Sequence, residues 1–194
     1  MAPVEINPER ITGPWVEGFV LDRHTVSSVP THYIGPHLQF DTTRSPLGEL
    51  LYRLKYRGED TGIADIADTV VDFVGGNWGS VFDCIVPAPP SVHRARQPVV
   101  QIAEELGRRL GLPVIADAVL KVKGTPQMKD VPAAQERATM LADAIQPGGT
   151  LVRGLRILLF DDLIENGSTL RRVATVLNEN GAAEIRALVL TRTK

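Results

Sequence analysis

The sequence has little that would tie the chain to an oxidising compartment or to a membrane. Its 194 residues include one cysteine, Cys84 in the apolar run "VFDCIVP", so neither a disulfide nor a zinc ribbon can form within the chain. No apolar stretch approaches the roughly 18 residues of a membrane span, and the start "MAPVEINPER" lacks the basic-then-apolar pattern of a secretory signal. We therefore expect a cytoplasmic protein without membrane contact.

The sequence also lacks a strong excess of positive or negative charge. Lys and Arg number 21 against 23 Asp and Glu, a net charge of −2, so no overall field attracts nucleic acid and any anion site must be built locally. Two common phosphate-binding motifs, GxxxxGK[ST] and GxGxxG, are absent. The 43% hydrophobic and 23% charged content is ordinary for a globular chain with a sizeable core.

Strand-like and helical segments alternate from residue 46 onward. The segments "FDCIVPAPP", "LRILLF" and "EIRALVLTR" are typical of buried strands, and "PLGELLYRLKYRG", "PVVQIAEELGRRLGLP" and residues 169 to 180 have helical spacing. This alternation predicts an α/β fold with a mostly parallel sheet flanked by helices. Residues 1–45, rich in Pro, Thr and His, are predicted to form a small N-terminal hood lobe, and residues 46–194 a core domain.

The clearest chemical signal is "ILLFDDLIENGST", in which four apolar residues precede Asp161, Asp162 and a small polar loop. In an open parallel sheet, ligands bind at the carboxyl ends of the strands. Loop amides and a helix N-terminus suit a phosphate, whereas two carboxylates suit sugar hydroxyls or a hydrated divalent cation. The pattern indicates a sugar phosphate site. The alternative is that Asp161 merely ends a strand and that Ser168 or Thr169 caps a helix.

The same segment resembles the phosphoribosyl pyrophosphate (PRPP) signature of type I phosphoribosyltransferases. Three further segments are similar to the competence protein ComF family: "SPLGELLYRLKYRGE", "FDCIVPAPPSVHRARQ" and "TPQ" followed by "QERATML". Among type I phosphoribosyltransferases, the chain therefore most resembles the ComF-like and amidophosphoribosyltransferase-like branch. Together they cover roughly residues 45 to 194. The zinc-binding cysteines at the N-terminus of many ComF-like proteins are missing.

The resemblance implies a type I phosphoribosyltransferase fold and an enzyme that binds Mg²⁺ with PRPP. Such an enzyme transfers the phosphoribosyl group to a nitrogen nucleophile and releases pyrophosphate, so its partners are PRPP and a small-molecule acceptor. Asp161 and Asp162 would approach the ribose hydroxyls and, through water, the magnesium. Arg94 would join them as a catalytic residue. The remaining PRPP contacts implied are Glu165, Asn166, Gly167, Ser168, Thr169, Ala88, Pro89, Arg94 and Arg96.

A long polar segment, residues 123 to about 140, is predicted to act as a lid because long loops without secondary structure are often functional. Lys123, Lys129 and Arg137 on this segment would cover the pyrophosphate and exclude water.

Two features keep alternatives open. Glu165 and Asn166 stand where the resembled family commonly has two threonines. The second hypothesis is therefore a ComF-like protein that binds PRPP or a nucleotide without turnover. Such a protein would act in regulation or in DNA uptake or repair. The segment "YRLKYRG" interleaves tyrosines with basic residues, which suits single-stranded nucleic acid but also a helix with a basic outer side; nucleic acid is the weaker alternative. A homodimer is common in the resembled fold.

Overall fold

The architecture is given by a computed structural model that describes residues 3–90, 97–122 and 144–193. Within these ranges the chain forms nine strands and four α-helices. In chain order they are β1 (Glu9–Arg10), β2 (Glu17–Arg23), β3 (Thr25–Ile34), β4 (His37–Arg44), α1 (Pro46–Tyr52), α2 (Ile63–Asn77), β5 (Cys84–Pro87), α3 (Pro98–Leu110), β6 (Val119–Lys121), β7 (Ile145–Pro147), β8 (Arg156–Ile164), α4 (Ser168–Glu179) and β9 (Glu184–Arg192).

The main sheet has five strands in the order β1-β2-β9-β8-β5. Strands β2, β9, β8 and β5 are parallel neighbours, and β1 adds one antiparallel edge. Two clusters of buried apolar side chains cover its two faces: one is formed with α4, and the other with α1, α2 and α3. The predicted α/β fold with a mostly parallel sheet and helices on both faces is therefore confirmed.

Helix α1 begins at Pro46, where the sequence predicts a helix, but regular α-helix ends at Tyr52. The Ser45 hydroxyl accepts a hydrogen bond from the Gly48 amide at 3.0 Å and donates one to the carbonyl of Arg23 at 2.6 Å, so the helix start is tied to β2. The chain continues as a π-helix over Arg53–Arg57, which ends at Gly58 in the left-handed conformation. A π-helical turn widens the helix by one residue and is frequently found at functional sites.

Part of the predicted N-terminal lobe belongs to the main sheet. Strand β2 pairs with β9, and Val20 and Leu21 in β2 are fully buried, because this strand alternates between the two apolar clusters. The boundary predicted at residue 45 assigns β1 and β2 to the N-terminal lobe, whereas the structure has both strands in the main sheet. What projects from the sheet is the antiparallel β3–β4 hairpin, which exposes Val29, Tyr33 and Phe40.

Strand β8 is longer than the sequence indicated. The expectation was a strand that stops at Phe160 and a loop that begins with the acids. Instead Asp161 pairs with Val189, and the pairing continues through Leu163 and Ile164. The physical reason is that ladder hydrogen bonds use the backbone, so a charged side chain near the sheet edge does not end the strand.

No helix in the described part of the chain is long and apolar enough to cross a membrane.

Candidate functional site

The site lies at the carboxyl edge of the parallel sheet. Asp161 and Asp162 lie near the C-terminal end of β8, and the loop Glu165–Gly167 leads from β8 into α4. The neighbouring strand β5 ends at the same level, because the Ala88 amide donates to the Phe160 carbonyl at 2.8 Å. The structure thus brings Ala88, one of the implied PRPP contacts, beside the acid pair.

The two acids point to opposite faces of the sheet, since successive residues of a strand alternate. Asp162 shares the face of Leu158 and Phe160, which pack with α1, α2 and α3. On that side the Lys55 Nζ lies 2.7 Å from Asp162 Oδ1, and each side chain is only 12% exposed. Lys55 belongs to the π-helix that follows α1. Asp162 is therefore held by a partly buried ion pair.

A hydrogen-bonded chain continues from this ion pair. The Thr191 hydroxyl donates to the Asp162 carbonyl at 3.4 Å, and His24 Nδ1 lies 3.2 Å from the same hydroxyl. Burial, followed by the nearby cations Lys55 and Arg44, lowers the pKa of His24 below its usual value. This face is thus a fixed polar network that links β2, the π-helix, β8 and β9.

Asp161 is held differently. It lies in line with Ile157 and Leu159, on the face covered by α4. Burial, reinforced by the charge of Asp162, raises the pKa of Asp161 to about 7, against the opposing hydrogen bond from the Asp162 amide at 2.8 Å. A carboxylate in this environment gains from any ligand that brings positive charge or hydroxyl donors.

The loop that follows is closed on itself. The amide and the hydroxyl of Ser168 both donate to Asn166 Oδ1, at 2.9 and 2.6 Å. Gly167 has a φ of +73°, which a side chain would strain, and Glu165 is solvent-exposed. Asn166 therefore occupies donors that the sequence assigned to a phosphate.

Arg171 clamps this loop from the first turn of α4. Its Nη1 donates to the Asn166 carbonyl at 2.8 Å, and its Nε donates to the Thr12 carbonyl at 3.1 Å. Arg171 is itself exposed, but these two hydrogen bonds give it a role in the loop that the sequence analysis did not identify. The available signal was its position, because a cation in the first turn of a helix opposes the helix dipole and needs another partner.

The other predicted site residues divide into two groups. Pro89 follows Ala88 at the end of β5, and Thr169 continues the first turn of α4. Five residues lie outside the described part of the chain: Arg94, Arg96, Lys123, Lys129 and Arg137.

Sequence reasoning also missed the role of Lys55. Together with Leu47 and Leu51 it forms a row at four-residue spacing, in which the two leucines are fully buried. A lysine that extends a core-facing row requires a buried partner, and the acid pair supplies it.

Comparison with known families decides the identity of the fold. The phosphoribosyl transferase domain matches residues 96–194, which is just over half of the chain and includes β8, the loop, α4 and β9. The chain belongs to the phosphoribosyl transferase domain family. Lys55, Ala88 and the β3–β4 hairpin lie before the matched region, so the family match itself assigns them nothing.

Among curated proteins, this phosphoribosyl transferase domain chain is similar to the amidophosphoribosyltransferases of Mycobacterium tuberculosis and Mycobacterium bovis. Each is 33% identical over 135 residues, which covers 55% of this chain and 26% of the relative. The chain thus spans about a quarter of the length of these relatives. Among solved structures it is similar to the glutamine PRPP amidotransferase of B. subtilis, with a TM-score of 0.50 and 19% identity over 77% of this chain and 33% of that one. That likeness concerns the fold alone.

Proposed function

We propose that the protein binds Mg-PRPP at the carboxyl edge of its sheet and transfers the phosphoribosyl group to a nitrogen nucleophile. The observation that carries the proposal is the convergence of three parts in one place: the acid pair on β8, the loop into α4 and the end of β5 at Ala88. Family membership supports the same chemistry. Asp161 and Asp162 are proposed to approach the ribose from the two faces of β8, and Glu165–Thr169 to hold the 5-phosphate.

The residues present fit a magnesium ion that arrives with the substrate. The described residues contain no cluster of three or more His, Cys, Asp and Glu side chains, so they form no complete protein cage. Mg²⁺ commonly uses one or two carboxylates, waters and substrate oxygens instead. Asp161, whose pKa burial raises to about 7, has the most to gain from such a cation. When bound, the ion neutralises charge that develops on the leaving pyrophosphate.

The chain's own residues would then bind and orient. Loop amides and the N-terminus of α4 hold the 5-phosphate. A bond forms between the acceptor nitrogen and the ribose C1, the bond from C1 to the pyrophosphate oxygen breaks, and its electron pair leaves with the pyrophosphate. The surplus proton of the acceptor passes to solvent. Arg94 and Arg96 are proposed to meet the pyrophosphate, and Lys123, Lys129 and Arg137 to close over it.

The first test is calorimetric titration with PRPP in the presence and absence of Mg²⁺. We expect magnesium-dependent binding that falls at least a hundredfold in Asp161→Asn, because the variant loses a carboxylate that is proposed to contact the ribose. Asp83→Asn is the matched control. Asp83 pairs with Arg156 at 2.7 Å, at the opposite end of β8, and Arg156 lies five residues before Asp161, about 17 Å along the strand. It should bind PRPP like the wild type.

Absence of PRPP binding by the wild type, or equal losses in both variants, would contradict the proposal. Binding without release of pyrophosphate, whatever nitrogen acceptor is supplied, would favour the second candidate, a ComF-like protein that binds PRPP or a nucleotide without turnover. The hydrogen bonds from Ser168 to Asn166 favour that candidate, since they compete with the phosphate for the same donors.

Three finer predictions accompany the proposal. The β3–β4 hairpin would serve as the hood, the protein would act in the cytoplasm, and it would form a homodimer. Light scattering of the full chain tests the last of these, and a mass of one chain, about 21 kDa, would contradict it.

A further inference from the structure

One of the three basic residues of the π-helix is turned inward. The side chains of Arg53 and Arg57 are 47% and 56% exposed, and each approaches a partly exposed glutamate. The Lys55 side chain is only 12% exposed, and its Nζ lies 2.7 Å from Asp162 Oδ1. Lysine side chains usually extend their ammonium group into water. The enclosed position of this ammonium group therefore points to a role in what it contacts, the Asp162 carboxylate.

Stability alone does not account for this ion pair. Two enclosed charges lose hydration, and replacing such a pair by apolar side chains of similar size often leaves stability unchanged or raises it. The same helical row already carries the fully buried Leu47 and Leu51, so an apolar residue at position 55 would extend an existing core. What an apolar pair could not do is fix a carboxylate at the edge of the sheet where the ligand is proposed to bind.

Asp162 is restrained at both its main chain and its side chain. Its amide donates to Asp161 Oδ1 at 2.8 Å, and its carbonyl accepts from the Thr191 hydroxyl at 3.4 Å. The remaining freedom lies in the side-chain torsions, which the contact with Lys55 restrains. A carboxylate that is held before the ligand arrives loses less conformational entropy on binding. The Asp162 carboxylate is therefore preorganised.

We propose that Lys55 is a positioning residue for sugar recognition: it holds Oδ1 of Asp162 so that the other carboxylate oxygen, Oδ2, accepts a hydrogen bond from a ribose hydroxyl. This inference rests on the proposed function, which assigns Asp162 to the ribose but gives Lys55 no part. Lys55 acts through Asp162 and does not itself contact the ligand. It lies before residues 96–194, the region of the family match, so family membership does not assign this role.

The test compares two ligands that share a phosphate and differ in the sugar. Phosphorus NMR titrations of the full chain with ribose 5-phosphate, and separately with inorganic phosphate, give both affinities. The wild type should bind ribose 5-phosphate more tightly. Lys55→Met should weaken ribose 5-phosphate binding about tenfold, as expected when a hydrogen bond to a charged group is lost, and should change phosphate binding less than about twofold. Arg57→Met, on the same π-helix, is the matched control and should change neither affinity.

Two further substitutions separate positioning from a packing effect. Lys55→Arg keeps the cation and should retain the preference for ribose 5-phosphate within about threefold, which loss of the lysine packing alone would not allow. Lys55→Gln keeps a neutral donor and is the second variant if Lys55→Met does not fold. It should show the same selective loss, because a neutral amide holds a carboxylate less firmly than an ammonium group does.

A double variant separates positioning from direct contact with the sugar. In Asp162→Ala no carboxylate remains to be positioned, so adding Lys55→Met should cause no further loss of ribose 5-phosphate affinity. A further tenfold loss would show that the Lys55 ammonium group contacts the sugar itself, and would overturn the inference.

The same titrations separate this inference from the proposed function. A wild type that binds the two ligands equally would contradict the ribose contacts of the proposed function, and the inference with them. A wild type that prefers ribose 5-phosphate, with the same preference in Lys55→Met, would overturn the inference alone. Equal losses of both affinities in Lys55→Met would also overturn it, because they would show an ion pair that only supports the sheet edge.

Discussion

The two faces of strand β8 carry the same charge at adjacent positions and hold it in opposite ways. On the α1 face, Asp162 is paired with Lys55 and belongs to a fixed network with Thr191 and His24. On the α4 face, burial raises the pKa of Asp161, which accepts hydrogen bonds from the backbone amides of Asp162 and Leu163. The difference teaches that an acid pair read from a sequence is not a pair of equivalent ligands.

The strongest way to break this comparison is to remove the cation from one face. Lys55→Met should lower the free energy of unfolding by about 2–3 kcal/mol, because it leaves Asp162 partly buried without its counter-ion. Chemical denaturation measures the change. Arg57→Met is the control, since Arg57 is 56% exposed and its approach to Glu59 is 4.0 Å. Equal effects of the two substitutions would show that the Lys55 pair is an ordinary surface contact.

A second substitution sharpens the same result. Asp162→Asn should also destabilise the protein, because it strands the Lys55 charge, and the double variant Lys55→Met with Asp162→Asn should lose less than the two single losses added together.

The pH dependence of stability tests the other acid, Asp161, and contrasts it with the ion-paired Asp162. The pKa of Asp161 is raised to about 7 in the folded chain and is near 3.9 in an unfolded one, so its protonated form stabilises folding below pH 4. That contribution is lost as the pH rises through 7. Asp161→Asn does not titrate, so its melting temperature relative to the wild type should rise by several degrees between pH 4 and 7.5. A constant difference across this range would contradict the raised pKa.

A smaller effect is expected at the clamp of the phosphate loop. Arg171→Gln removes the hydrogen bonds to the carbonyls of Asn166 and Thr12, and should weaken PRPP binding about fivefold by loosening the loop. Arg172→Gln, at the next position of the same helix, is the control and should leave the titration unchanged. A loss in the control instead would assign the effect to the helix charge as a whole.

The smallest expected effect concerns the loop between β8 and α4, and it tests whether Asn166 competes with phosphate for the Ser168 donors. Asn166→Ala frees the Ser168 amide and hydroxyl, so the affinity for inorganic phosphate should increase about threefold. Asn178 lies on the same helix, and its side chain donates a hydrogen bond to the Pro14 carbonyl. Asn178→Ala, which removes that bond, should not alter the affinity for phosphate. Weaker phosphate binding in Asn166→Ala would show that the asparagine itself contacts the anion.

Much of the fold could be predicted from the sequence because its signals are local. Apolar runs, proline starts and glycine stops locate α1, α3 and β5 to within a few residues, and the alternation of strands with helices predicts the parallel sheet. The position of β2 could not be predicted. Its pairing with β9 joins segments about 170 residues apart, and nothing in either segment names its partner.

The site shows the same division. The acid pair, Ala88 and the loop were predicted because strand ends and glycine turns have sequence signals. Lys55 and Arg171 were missed because their roles depend on partners distant in the chain. Each nevertheless breaks a local rule, a charge in a buried row for Lys55 and a cation in a first helical turn for Arg171.

The π-helix over Arg53–Arg57 has a consequence for how such a site can arise. A π-helical turn is equivalent to a single residue inserted into an α-helix, and each residue turns the helix by about 100°. Deleting one codon within this turn would restore regular winding and rotate the position of Lys55 away from the sheet edge, while the buried leucines of α1 stayed in place. One insertion or deletion event therefore suffices to gain or lose the ion pair.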